Sequence, residues 1–554
     1  MLVGFHVYND YHMIRKKDAI RPYQVLFFMP WIIYFTHVWL QAIQVTGSGW
    51  YAAYLPHWAD GAAHLSYMAA FAFRHQFPIM HPVFYGHPFT YSFLSDAIGG
   101  WLTKAGLSLW SAYNLWGLVL TIATLIAIWA FLKTFLQTDK RTFVAGNLFL
   151  LSGGLGWKYI MLDKLGITTP PESPFFPLLY TQREGTDIVW LNVIVGELLP
   201  QRAFLLAIPL AIFLLITWYQ LFIKKQAVST KRVICTGLIF GCMPIIHPHT
   251  TMMLALTIIW WALPQLIKNW KQTLKPLLLI GIPTIIIGGL NTVRFLSPSV
   301  SSGFFSYLPG WLASVKETNW FIFWMDNWGL FLPLAAVGTY LIKSSTTRSV
   351  IMPFWVWFGL ANLFLFQPYD WDNSKLFTWV YLVFTIPVTL ALSRLWRGQL
   401  LNRLLVIISI ACLTLAGAID VGHLADTKTY KIQLLSPEEI ELGTYVRSHT
   451  PDTSIILAST THRNWVPIMT GRQILCGYQG WMWTYGIKAG QRVTDVREMF
   501  AGTTNALVLL KSYGINYVVI GPEERAEFSV NDEFYAKYPI LIKTPTTTVY
   551  QITP

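Results

Sequence analysis

Asp60 and His64 stand one helical turn apart in the stretch Trp58-Ala59-Asp60-Gly61-Ala62-Ala63-His64. On a helix that spacing puts both side chains on one face. Such a pair can abstract a proton from an acceptor hydroxyl or share a divalent cation such as Mg or Mn; a carboxylate that only faces water is the plainer reading. Trp58 beside them adds an aromatic frame for a substrate. His75, His81 and His87 follow at intervals of six, each near Pro or Gly. That is too wide for one helical face and too sparse for a zinc set, so ring stacking and hydrogen bonding are expected of them, with His87 a substrate contact.

Four further places carry polar groups where apolar runs begin or end. In Glu197-Leu198-Leu199-Pro200-Gln201-Arg202 the arginine opens an apolar run on the side where positive charge is disfavoured. Its fork of donors suits a phosphate, and a salt bridge back to Glu197 is the alternative. His247-Pro248-His249-Thr250 is almost the whole connection between two apolar runs, and Arg294 stands near the outer end of another. Imidazoles there either brace a tight turn or line a polar cavity, and an ionisable group at such depth is a functional candidate. Asp370-Trp371-Asp372-Asn373-Ser374-Lys375 fills a whole connection. Its two carboxylates and lysine could hold a cation, or Lys375 could bind a phosphate that Asp372 orients; a solvated turn is the plain alternative.

The elements that must position these residues are apolar helices. The chain has 554 residues, 54% hydrophobic and 12% charged, with mean hydropathy +0.45, which excludes an ordinary soluble enzyme of this length. At about 20 apolar residues per span, eleven spans are expected, near 24–45, 113–136, 142–160, 203–223, 232–247, 250–267, 276–296, 329–342, 349–367, 376–393 and 402–419. The first, preceded by Arg15, Lys16, Lys17 and Arg21, has no small-residue cleavage site and reads as a retained span. Short connections carry the basic residues, among them Lys133, Lys140, Lys224, Lys271 and Arg397, while long ones carry acids such as Asp60, Asp96, Glu197 and Asp372. The positive-inside rule then puts the N-terminus inside and the C-terminus outside.

The net charge of +13 is absorbed by those connections, so no nucleic-acid partner follows. Cys235, Cys242 and Cys412 lie in apolar segments and Cys476 is alone in a polar one, so no structural disulfide is expected. Residues 89–104, interrupted by Asp96 and Gly99-Gly100, read as a half-buried helix on the outer leaflet. The chain divides into a transmembrane part, 1–424, whose first external loop runs over 46–112, and an extracytoplasmic α/β part, 425–554. In the latter, Ser436-Pro437-Glu438-Glu439 is a capping box that starts a helix. Short strands are predicted over 453–459 and 516–520, with a helix near 503–512.

With its acidic first loop, basic groups at outer span ends and external α/β part, the chain resembles the GT-C superfamily, multi-span glycosyltransferases that use polyprenyl-phosphate-linked sugars. The resemblance covers the whole chain by layout and short motifs by letter. Trp58 to His64 takes the place of the family's acidic loop motif, which implies a catalytic-base role for Asp60. Arg202 and Lys375 are implied to contact the lipid phosphate. Asp372-Asn373-Ser374-Lys375 and Gly521-Pro522-Glu523-Glu524-Arg525 are similar to poorly characterised bacterial members, and Gly480-Trp481-Met482-Trp483-Thr484-Tyr485-Gly486 is similar to an acceptor motif of oligosaccharyltransferases, which makes Trp481 and Trp483 acceptor contacts. The resemblance implies an all-α polytopic bundle with a small α/β domain in the plasma (inner) membrane. It also implies transfer of a hexosyl or pentosyl group from a polyprenyl-phosphate donor to a glycan, lipid or protein acceptor. A transporter or flippase of lipid-linked saccharides, or a non-catalytic envelope assembly factor, are the rival readings.

Overall fold

The computed structural model describes residues 21–53, 55–75, 80–172, 177–292 and 305–552. Among them, seven helices are long and apolar enough to cross a membrane, or eight if Trp320–Trp328 and Phe331–Leu341, bent by 91° at their junction, form one span. Each of the eleven expected runs holds helix, but not all of it reaches that length. The run expected over 142–160 is helical only over Asp139–Leu150, 12 residues, or about 18 Å of rise against a hydrocarbon core of about 30 Å. Thr230–Ile246 stops at 17 residues because His247 turns extended and caps the next helix. At one end of the bundle Arg21 and Lys133 both pair with Asp139.

At the opposite end the first loop folds into the structure rather than projecting from it. Strands Ile43–Thr46 and Gly49–Ala52 form a hairpin, and Ile432–Leu435 adds to it as a third antiparallel strand. The helix Leu55–Phe73 follows; its small residues Gly61, Ala62 and Ala63 let neighbours approach, and Leu65, Tyr67 and Met68 are fully buried. The helix Leu94–Lys104 packs on it so closely that a Cβ on Gly100 would lie 2.5 Å from the Met68 carbonyl oxygen. Ser95, Asp96, Ala97, Gly99 and Gly100 form the buried face of that helix and Trp101 is exposed. The half-buried helix expected there is thus an inner wall of the fold.

From Ile432 onward the chain builds an α/β unit. Its five-stranded sheet runs in the order Gln473–Ile474, Ile455–Leu457, Tyr517–Ile520, Thr548–Gln551, Ile540–Lys543. The first three strands are parallel and the last two antiparallel. Ser436 caps Pro437–His449 with a full capping box. This unit is docked on the first loop by backbone bonds from Ile474 to Pro82 (3.0 Å) and Gly477 to Val83 (2.7 Å). Gly471, with φ of 68°, sits where a Cβ would meet the Ala69 carbonyl oxygen at 2.6 Å.

Candidate active site

Five stretches distant in sequence meet between the bundle end and the α/β unit. The helix Leu55–Phe73 brings Asp60 and His64, and the segment before the Arg202 helix brings Gln201. The Asp370–Asn373 turn and the helix behind it bring Asp372 and Lys375, Tyr91 comes from the first loop, and Trp481 and Tyr485 from the α/β unit. They enclose a polar cavity of about 310 Å³. Beside it lies a more apolar chamber of about 470 Å³ lined by His247, His249, Met252 and Phe366. The two share Tyr91, Gln201, Gln367, Lys375, Thr484 and Tyr485 as a common wall.

Asp60 faces the polar cavity, and Gln201 Nε2 donates to its Oδ2 at 3.2 Å. Its surroundings raise its pKa, chiefly by desolvation, against the pull of His64 and Lys375. His64 lines the same cavity, but its Nδ1 is taken by Asp96, at 2.9 Å and 3.0 Å from the two carboxylate oxygens. The spacing that put Asp60 and His64 on one face is realised, and the hydrogen-bond partner of the imidazole is a different acid.

Arg202, expected to contact a phosphate, is placed behind the chamber wall. It is fully buried, with Nε 3.6 Å from Asp96, Nη1 donating to the Tyr113 carbonyl at 3.0 Å and its guanidinium 4.1 Å over the Tyr113 ring. It lines neither chamber, because the first turn of its helix points it into the wall behind His64. Glu197, its alternative partner, instead accepts from Ser374 Oγ at 2.7 Å, and burial pushes its carboxyl up to about 8. Glu197 therefore buttresses the Lys375 helix from behind.

Lys375 stands in the wall common to both chambers and donates to Asp372 Oδ1 at 2.9 Å. Asn373 does not reach the cavity: its amide nitrogen is spent on the Ala361 and Phe364 carbonyls, at 2.9 Å and 2.7 Å, which fixes the turn. His247 Nδ1 meets Thr250 Oγ1 at 2.8 Å as the cap of Pro248–Lys268, so it both braces the turn and lines the apolar chamber. Nε2 of His247 and of His249 is buried without a hydrogen-bond partner among the described residues. His87 lies outside both chambers and its Nδ1 donates to the Pro88 carbonyl at 2.7 Å. Trp58 turns away from Asp60 and packs on His462, with ring centroids 5.2 Å apart. Trp481 lines the cavity, whereas Trp483 is 53% exposed and outside it. Arg294 lies outside the described residues.

Asp96, Gln201, Tyr91 and Tyr485 were not singled out from the sequence. Asp96 did leave a signal, an acid inside an apolar segment next to Gly-Gly, which a buried charge with a partner explains. Among the described residues no three His, Cys, Asp or Glu side chains converge as a metal-ligand set; the Asp96 bond to His64 Nδ1 and the Gln201 bond to Asp60 Oδ2 leave His64 Nε2 and Asp60 Oδ1 as the groups of this pair that could meet a cation.

No protein-family model matches the sequence, and no curated protein does. Among solved structures the chain is similar to ArnT from Cupriavidus metallidurans bound to undecaprenyl phosphate. The TM-score is 0.51 at 10% identity, covering 96% of this chain and 98% of that one. It is also similar to the Archaeoglobus fulgidus oligosaccharyltransferase tethered with an acceptor peptide (TM-score 0.46, 12% identity, 92% of this chain and 70% of that one). The archaeal AglB from the same organism, in complex with an inhibitory peptide and a dolichol-phosphate, matches with TM-score 0.43 and 11% identity over 92% and 72% of the two chains. At such identities likeness speaks to fold, and the match over nearly the whole of both chains gives this protein the fold of the ArnT structure, with seven or eight helices among the described residues long and apolar enough to cross a membrane.

Proposed function

We propose that this chain is an integral-membrane glycosyltransferase that moves a sugar from a polyprenyl-phosphate donor to an extracytoplasmic acceptor hydroxyl. The observation that carries this reading is the wall shared by the two chambers. A lipid-linked sugar phosphate is apolar at one end and polar at the other. Here an apolar chamber adjoins a polar cavity holding Asp60, and Lys375 stands between them. The neighbour of the same fold is a complex with undecaprenyl phosphate, which is the same kind of ligand.

In this reading the donor phosphate lies against Lys375, and Asp372 orients its ammonium. The acceptor oxygen attacks the anomeric carbon while the carbon–oxygen bond to the phosphate breaks. The polyprenyl phosphate leaves with the electron pair, and the acceptor proton passes to Asp60. Direct displacement inverts the anomeric centre. The raised pKa of Asp60 brings a carboxylate nearer to the pH at which it must accept a proton, which favours general-base catalysis. A cation fixed where negative charge develops supplies much of the remaining rate. Arg202 takes no part in phosphate contact; with Asp96 it fixes His64 in the cavity wall.

The basic residues Arg21 and Lys133 at the end opposite the cavity support an N-terminus inside and a site on the extracytoplasmic face of the plasma membrane. The test is Asp60→Asn in full-length protein in lipid nanodiscs, assayed for release of polyprenyl phosphate from a sugar-charged donor. Loss of a general base should lower the rate by about 10²–10⁴ with folding intact. Full activity in that variant would refute the assignment.

A further inference from the structure

A groove of about 470 Å³ lies on the other side of the Asp60 helix, and the transfer step described above does not use it. Trp58 forms one end of it. Trp58 and Asp60 are two residues apart, so they point to different faces of the helix while their backbones differ by only about 3 Å of rise. From Trp58 a run of half-buried rings extends onto the α/β unit: Trp58 to His462 at 5.2 Å, then His462 to Tyr478. Trp481 stands edge-on beneath the last two, at 5.4 Å and 5.7 Å, and its other side lines the Asp60 cavity. The groove and the cavity therefore have one indole between them.

The polar lining is of a particular kind. Arg463 is paired with Glu523, and Glu527 accepts from Thr460, so one cation faces two carboxylates. Gln479 at the rim is exposed. Burial holds the His462 imidazole below its ordinary pKa, so the ring keeps one donor and one acceptor. A slightly acidic groove disfavours a phosphate-bearing acceptor, and charged groups along its floor do not suit an acyl chain. An extended peptide would be recognised through the open edge of a strand; this groove is lined by helix and loop residues and by no strand. Aromatic faces interleaved with carboxylates, an amide and hydroxyls match a sugar ring, which has apolar C–H faces and a belt of hydroxyls that both donate and accept.

We infer that this groove binds the acceptor and that the acceptor is a saccharide chain, its end brought past Trp481 to Asp60. The inference rests on the glycosyl-transfer reading for its purpose, but binding to the groove is measured without turnover.

The experiment uses the full-length protein in lipid nanodiscs and saturation-transfer-difference NMR. The saccharide probes are maltohexaose, isomaltohexaose, cellohexaose and laminarihexaose; a dihexanoyl phosphatidylethanolamine and an Ala-Asn-Thr tripeptide are the competing probes. At least one hexasaccharide is expected to receive saturation. The signal should fall about tenfold in Tyr478→Ala and in Trp58→Leu, equivalent to about 1.4 kcal/mol, and persist in Asp60→Asn. Tyr478 lies at the groove surface, so its variant serves if Trp58→Leu does not fold. The inference is overturned if no hexasaccharide receives saturation, if the phospholipid or the peptide does so instead, or if the signal survives Tyr478→Ala. If Asp60→Asn transfers sugar normally, the enzymatic reading falls while the groove measurement stands by itself.

Discussion

Asp96 is the residue on which the Asp60 wall depends, and Asp96→Asn tests that directly. The carboxylate is fully buried and carries two loads, Arg202 Nε at 3.6 Å and His64 Nδ1 at 2.9 Å. At that separation the attraction to Arg202 is about 4.6 kcal/mol for an effective dielectric of about 20. Removing one partner of a buried pair costs about 3–5 kcal/mol, because the other charge stays buried and uncompensated. The Tyr113 carbonyl and ring still hold the guanidinium, and asparagine can still reach His64, so the lower part of that range applies, about 3 kcal/mol. Since folded domains hold only about 5–15 kcal/mol in total, the apparent melting temperature of the full-length protein in detergent should drop clearly. Asp96→Asn with Arg202→Met should recover more than half of the loss, because the orphaned charge goes with it, so the double variant should lose clearly less than the sum of the two singles. If Asp96→Asn unfolds together with the wild-type protein, or if the double variant is the sum of the singles, the buried pair does not hold this wall.

Lys375→Met should lower polyprenyl-phosphate release by about 10²–10³ and weaken binding of undecaprenyl phosphate, measured by native mass spectrometry; unchanged binding would remove Lys375 from phosphate contact. Glu197, raised from 4.5 to about 8 by burial, binds its proton more tightly folded than unfolded. Its contribution to stability is therefore full below about pH 4.5 and is lost as pH rises through about 8. Glu197→Gln should flatten the fall in melting temperature between pH 6 and pH 9, and an identical pH slope in both proteins would contradict the assignment. Gly471→Val forces a side chain toward the Ala69 carbonyl at a positive φ, a strain of about 1–3 kcal/mol. Limited proteolysis should then cut the segment joining the α/β unit to the bundle faster than in wild type; equal rates would mean that the contact does not hold the unit in place.

Much of the architecture lies in local chemistry. Long apolar runs with basic short connections leave a bilayer as the only solvent that suits them, and helices occupy those runs in the structure. Ser436-Pro437-Glu438-Glu439 sets a helix start through bonds made within four residues, and the structure has that capping box. The short apolar strands at 455–457 and 517–520 fall inside the stretches read from their β-branched residues. Asp60, Asp372 and Lys375 were also visible, because charge at the edge of an apolar run is costly unless something uses it.

What the sequence could not contain is the pairing of distant groups. Hydrophobic period tells which face of a helix is buried, not which face it meets, so nothing local joins Asp96 to Arg202, 106 positions later, or strand Ile432–Leu435 to the hairpin at Gly49–Ala52. The same limit explains Arg202: its fork of donors suits a phosphate or a carboxylate equally, and only the tertiary structure brings it against Asp96 and Tyr113. It explains Trp58 too, whose place beside Asp60 in sequence becomes a place on the opposite side of one helix. Residue types determined which groups carry charge and which seek apolar surroundings; the packing of remote helices determined which of them share a cavity, because a long-range contact depends on the path of the whole chain between its partners.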